Sequence, residues 1–115
     1  MKTILVVDDN WEIGEMVTER LELAGYRSLL AGDATYQQCF KDQPDMVLCD
    51  MPVPPEAGAD VVRAMRAARG MQTTPVVMMS SYYGYVATEE SSQVALKPFG
   101  LRTLMEIVEA NIGQP

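Results

Sequence analysis

The stretch VLCDMPVPP, residues 47–55, starts as an apolar run, closes it on a carboxylate at Asp50, and then places three prolines within five positions. An apolar run with no polar alternation reads as a strand covered on both faces, as in a parallel sheet. A charge at its end marks where the strand leaves the core. Proline fixes φ and biases its predecessor toward extended geometry, so Met51, Val53 and Pro54 are all restrained. Pro54 and Pro55 also read as initiators of a following helix.

Working outward, similar short runs recur at Ile4 to Val7, Tyr26 to Leu30, Val76 to Met79 and Val94 to Leu96. Helical periodicity fills the segments between them. The first helix is expected behind an N-cap at Asn10, with Ile13, Met16, Val17, Leu21 and Ala24 on its inner face and Gly25 ending it. A shorter helix is expected over Asp33 to Lys41. A third, over Ala59 to Arg69, carries Val61, Val62, Met65 and Ala68 ahead of Gly70. The last, Leu101 to Ile112, repeats Leu101, Leu104, Met105, Val108 and Ile112. Strict β-α alternation implies right-handed crossovers and a doubly wound α/β fold, a five-stranded parallel sheet with helices on both faces.

Ligands of such sheets bind outside the carboxyl ends of the strands. Here the first strand ends in Asp8 and Asp9, the third in Asp50, the fourth in Ser80 and Ser81, and the fifth in Lys97. Each feature alone has an ordinary reading, a turn former, a helix cap or a solvated lysine. Their coincidence at four strand ends does not. If the first and third strands are neighbours, three carboxylates converge, and like charges that close need a cation to remain ionised together. Oxygen ligands with a partly hydrated site suit magnesium or manganese.

Composition narrows the chemistry further. The chain has 115 residues, enough for one domain with one core, and we expect a single domain over 1–115. It contains no histidine, which removes imidazole acid/base chemistry and the commonest transition-metal ligand. A net charge of −7 argues against direct nucleic-acid binding through phosphates. No apolar stretch approaches the roughly 20 residues that span a bilayer, and MKTILVVDDN is too charged for a signal peptide, so a cytoplasmic location away from membranes is expected. Cys39 and Cys49 read as small buried hydrophobes rather than redox groups.

Together, VVDDN at residues 6–10, the strand end at Asp50, Pro54 and Gly58 beyond it, PVVMMS ending at Ser80, and KPF at 97–99 resemble the CheY-like receiver domain of bacterial two-component response regulators. The resemblance runs from residue 3 to about 112. It implies a flavodoxin-like strand order 2-1-3-4-5. Asp50 is then the phosphoacceptor, Asp9 and Asp50 direct magnesium ligands, Asp8 a ligand through water, and the Pro52 backbone carbonyl a further ligand. Lys97 and Ser80 contact the phosphoryl group, and Lys97-Pro98 resembles the family's cis peptide. The implied partners are a histidine kinase or phosphotransfer protein as donor and an output protein, with dimerisation left open. Catalysis extends no further than the domain's own phosphorylation and dephosphorylation.

The chain also departs from the family. Only residues 82–93 connect the fourth and fifth strands, while a parallel crossover with its helix needs roughly 10–12 residues at minimum. The fourth helix is therefore expected to be short or absent. The position three before Lys97, often aromatic in the family, is Val94, and Tyr82, Tyr83 and Tyr85 are candidates to replace it. These departures support an alternative, a receiver-like docking module with a remodelled β4–β5 connection that no longer switches. A phosphohydrolase is disfavoured because Pro52 stands where its second aspartate would, and a flavin site because Asp8 and Asp9 occupy the loop that would cradle phosphate.

Overall fold

Five parallel strands form one sheet in the order β2-β1-β3-β4-β5. The computed structural model describes residues 1–32, 35–50, 56–80, 93–96 and 100–115. Along the chain come β1 (Thr3–Val7), α1 (Trp11–Leu23), β2 (Arg27–Ala31), a 3-10 helix (Tyr36–Asp42), β3 (Met46–Asp50), α2 (Glu56–Ala67), β4 (Val76–Ser80), β5 (Gln93–Leu96) and α3 (Leu101–Ile112). The doubly wound architecture and strand order expected from the sequence are both present. The expected short or absent fourth helix concerns residues outside the described set.

Alternation along each strand divides the core between the two faces of the sheet. Leu5, Val7, Val47, Cys49, Val76 and Met78 pack with Tyr36, Phe40, Val61, Val62 and Met65 from the 3-10 helix and α2. Ile4, Val6, Met46, Leu48, Val77 and Met79 pack with Val17, Leu21, Leu104 and Val108 from α1 and α3. This two-sided burial explains why the strands carry no polar face. Leu48 is fully enclosed on the central strand, so truncating it to alanine costs about 2–5 kcal/mol.

The first helix starts as expected: Ile13 N donates to Asn10 Oδ1 at 3.2 Å, satisfying an otherwise orphaned amide. It ends at Gly25, whose φ of 102° belongs to the left-handed side, while Tyr26 N returns to Leu21 O at 3.1 Å. Its buried face is only partly the expected one: Val17 and Leu21 face inward as expected, while Ile13, Met16 and Ala24 do not. Gly14, Val17, Thr18 and Leu21 face inward, whereas Ile13 is 37% and Met16 54% exposed. The cause is Gly14, which lets α1 lie so close to β2 that a Cβ there would stand 2.6 Å from Leu30 Cδ1.

The short helix expected over Asp33 to Lys41 is a 3-10 helix over Tyr36–Asp42, with Asp33 and Ala34 outside the described residues. Thr35 gives it no side-chain cap, and Gln43 ends it in the left-handed region at φ 48°. Tyr36 and Phe40 still supply its buried face, meeting edge to face with centroids 5.7 Å apart. The other helices lie close to their expected bounds. Arg66 closes the turn after α2, its Nη1 donating to Met71 O at 3.0 Å and Thr74 O at 2.7 Å. Among the described residues, no helix is long and apolar enough to cross a membrane.

Candidate functional site

The sheet register determines where the acidic strand ends meet. Val7 is paired with Cys49, so the next residues on β1 and β3 are Asp8 and Asp50. Asp50 in turn pairs with Met79, which precedes Ser80, and Ser80 pairs with Leu96, which precedes Lys97. Three of the polar positions expected from the sequence, Asp8, Asp50 and Ser80, therefore stand in the backbone at one edge of the adjacent strands β1, β3 and β4. Backbone register alone achieves this.

Asp8 is a buried carboxylate, 2% exposed. Its backbone N donates to Ala31 O at 2.9 Å, extending the β1–β2 ladder past the end of β1. Its Oδ1 accepts from Asn10 N at 2.8 Å, and its Oδ2 is enclosed as well. A side chain held so by local backbone is oriented before any ligand arrives. Asp9, the next residue, is exposed at the mouth of the same edge. Its Oδ1 lies against Gly32, 3.0 Å from where a Cβ on that glycine would be.

Gly32 and Thr35 were not singled out from the sequence, yet Gly32 lies against Asp9 and Thr35 holds Gly32 in place. Gly32 N donates to Thr35 Oγ1 at 3.2 Å, and Gly32 O accepts from Thr35 N at 3.1 Å and Tyr36 N at 3.0 Å. The available signal was a glycine directly after a strand that neighbours the acidic one.

Of the remaining predicted positions, Asp50 and Ser80 are placed by their backbones at the ends of β3 and β4. Pro52 and Lys97 lie outside the described residues, as do Tyr82, Tyr83 and Tyr85. Val94 sits within β5, opposite Met78. Among the described residues there is no group of three or more metal-ligating side chains. Asp8 and Asp9 are two carboxylates of the expected trio, and Asp50, the third, is described in its backbone only. Hard oxygen donors, one preoriented and one reachable from solvent, fit a small hydrated dication such as magnesium.

A doubly wound sheet with acidic groups at its carboxyl edge defines a class of folds, and comparison with known proteins narrows it. The profile of the Response regulator receiver domain family matches residues 4–109, and the chain belongs to that family. It is 32% identical over 116 residues to the DNA-binding response regulator MtrA of Mycobacterium tuberculosis, covering 95% of this chain and 50% of that protein. The chain thus spans about half the length of the curated relatives it matches. Among solved structures, it is similar to the chemotaxis response regulator CheY4 of Vibrio cholerae, with a TM-score of 0.81, 25% identity, and coverage of 97% of this chain and 99% of that one. The response regulator TrrA of Thermotoga maritima, solved in complex with magnesium and beryllofluoride, gives a TM-score of 0.81 and 26% identity over 97% of this chain and 100% of its own. Receiver domains are signalling domains rather than conventional enzymes.

Proposed function

We propose that this chain is a phosphoacceptor of two-component signalling, taking a phosphoryl group onto Asp50 from a histidine kinase or phosphotransfer protein and altering a protein contact in response. The observation that carries this reading is the register that makes Asp8 and Asp50 successive neighbours across β1 and β3. An oxygen of the Asp50 carboxylate attacks phosphorus, forming the acyl phosphate as the donor's phosphorus–nitrogen bond breaks.

Asp8, Asp9, Asp50 and the Pro52 carbonyl would hold magnesium, with manganese as a substitute. Bound there, the ion neutralises charge on the transferring phosphoryl oxygens. Asp8, buried and fixed by Asn10 N, sets the geometry, and Asp9, exposed at the mouth, meets the ion from the solvent side. Lys97 contributes a second positive charge, and the Ser80 hydroxyl donates to a phosphoryl oxygen of the product. TrrA supports this reading because its magnesium and beryllofluoride complex belongs to a chain of the same fold at 26% identity.

A single receiver over 1–115, located in the cytoplasm beside its donor kinase, accommodates these roles. Its charge of −7 speaks against direct contact between this domain and nucleic acid, while the DNA-binding MtrA relatives are about twice as long. The test is incubation with magnesium and a small phosphodonor. Intact mass should show one added phosphoryl group that is lost in Asp50→Asn. An adduct persisting in that variant refutes the assignment.

A further inference from the structure

We infer that Gly32 is a positioning residue for the magnesium site, its missing side chain providing the seat on which the Asp9 carboxylate rests. The inference builds on the metal-binding reading above. Gly25, Gly70 and Gly113 have positive φ values of 102°, 82° and 76°, so their backbones favour glycine. Gly32 does not belong to that group, so a positive φ is not its reason for being glycine. What it supplies is room.

A Cβ at residue 32 would stand 3.0 Å from Asp9 Oδ1, inside the roughly 3.3–3.6 Å at which carbon and oxygen ordinarily meet. One partner must give by a few tenths of an ångström, and the backbone is poorly free to do so. Gly32 is tied through its N to Thr35 Oγ1 and through its O to the amides of Thr35 and Tyr36. Ala31 O, one residue earlier, holds Asp8 N at 2.9 Å, locking the two strand ends together. Asp9 is exposed, so its carboxylate is the group that yields. A methyl group at residue 32 therefore pushes a proposed metal ligand off its resting position while leaving the core untouched.

This makes stability and metal affinity separable. Replacing a glycine by alanine where the backbone permits it leaves stability unchanged or raises it, because the unfolded chain loses freedom. Displacing the support of a ligand typically weakens metal binding by about tenfold or more. The test titrates magnesium into wild type, Gly32→Ala, Asp9→Asn and the double variant. It follows the fluorescence of Trp11, the sole tryptophan, two residues after Asp9 and 56% exposed, with amide chemical shifts of Asp9 and Asn10 as a second readout.

The expected result is an apparent magnesium affinity lowered about tenfold in Gly32→Ala, with the melting temperature equal to or above wild type. The alanine should have no further effect in the Asp9→Asn background. If wild type binds magnesium and Gly32→Ala binds it within about twofold, the positioning role is overturned while the metal site stands. A lower melting temperature with weaker binding overturns it too, since the glycine is then structural. If wild type shows no response in either readout, the metal-binding reading itself fails.

Discussion

Val7 lies opposite Cys49 in the β1–β3 ladder, and on both strands the following residue is an aspartate. Two aspartate positions are thereby brought to one edge of the sheet by backbone hydrogen bonds that the fold makes anyway. Asp8 is then fixed further by Asn10 N at 2.8 Å, in the loop that also caps α1. One short turn starts a helix and orients a carboxylate.

Replacing Asp8 by asparagine keeps an oxygen that can accept from Asn10 N but removes a buried charge. Wild type should gain about 1.4 kcal/mol at ten times the magnesium dissociation constant, and the variant almost none at the same concentration. Thermal unfolding with and without the ion measures both.

Arg66 joins the end of α2 to the approach of β4 through two carbonyls, far along the chain from the acidic turn. Arg66→Ala should lose about 1.5–3 kcal/mol, since a charged donor is removed and two carbonyls lose their partner. Arg66→Lys should recover only part of it, because one ammonium does not reproduce the guanidinium fork. Urea denaturation gives the loss, and magnesium affinity should not change.

Tyr26 OH donates to Gly113 O at 2.6 Å, anchoring the end of α3 beside β2. Burial, reinforced by the negative charge of Glu109, pushes its phenol above the ordinary tyrosine value of 10.0. The folded protein therefore holds this proton more tightly than the unfolded chain does. The stability it contributes is complete below pH 10 and drains away as pH rises through the raised value. Tyr26→Phe should cost about 0.5–1.5 kcal/mol at neutral pH and flatten the alkaline part of the stability profile. Denaturation measured at successive alkaline pH values tests both parts.

Neither cysteine is in a disulfide, and Cys49 is buried within β3. Cys39 is half-buried, and its thiol is pushed upward by burial first and by Asp42 second, against a smaller opposing effect of Lys41. Thiolate is the reactive form, so both thiols should react slowly with an aromatic disulfide reagent at pH 7 and rapidly in denaturant. Fast reaction of either thiol in the native protein would contradict this arrangement.

The strands and their order were legible because burial on both faces leaves an unmistakable apolar run, as in Met46 to Cys49. The acidic edge was legible because parallel strands all release their carboxyl ends on one side. The inner face of α1 was not. Ile13 and Met16 fit a helical stripe by hydrophobicity, but Gly14 brings the helix against Leu30 and turns that stripe partly outward. Close approach depends on the absence of a side chain, which a count of apolar residues does not register. The same blindness hid Gly32. The segment over Asp33 to Lys41 read only as a short helix, and its 3-10 winding over Tyr36–Asp42 was not legible, because helix type is decided by how the turn packs rather than by residue pattern.

The most direct measurement is a two-dimensional amide spectrum of the wild-type chain, recorded first with magnesium and then with beryllofluoride added. The account predicts stepwise shifts, with magnesium moving Asp8, Asp9 and Asp50 and beryllofluoride then moving Asp50, Ser80 and Lys97. A spectrum in which those resonances hold their positions through both additions would contradict it.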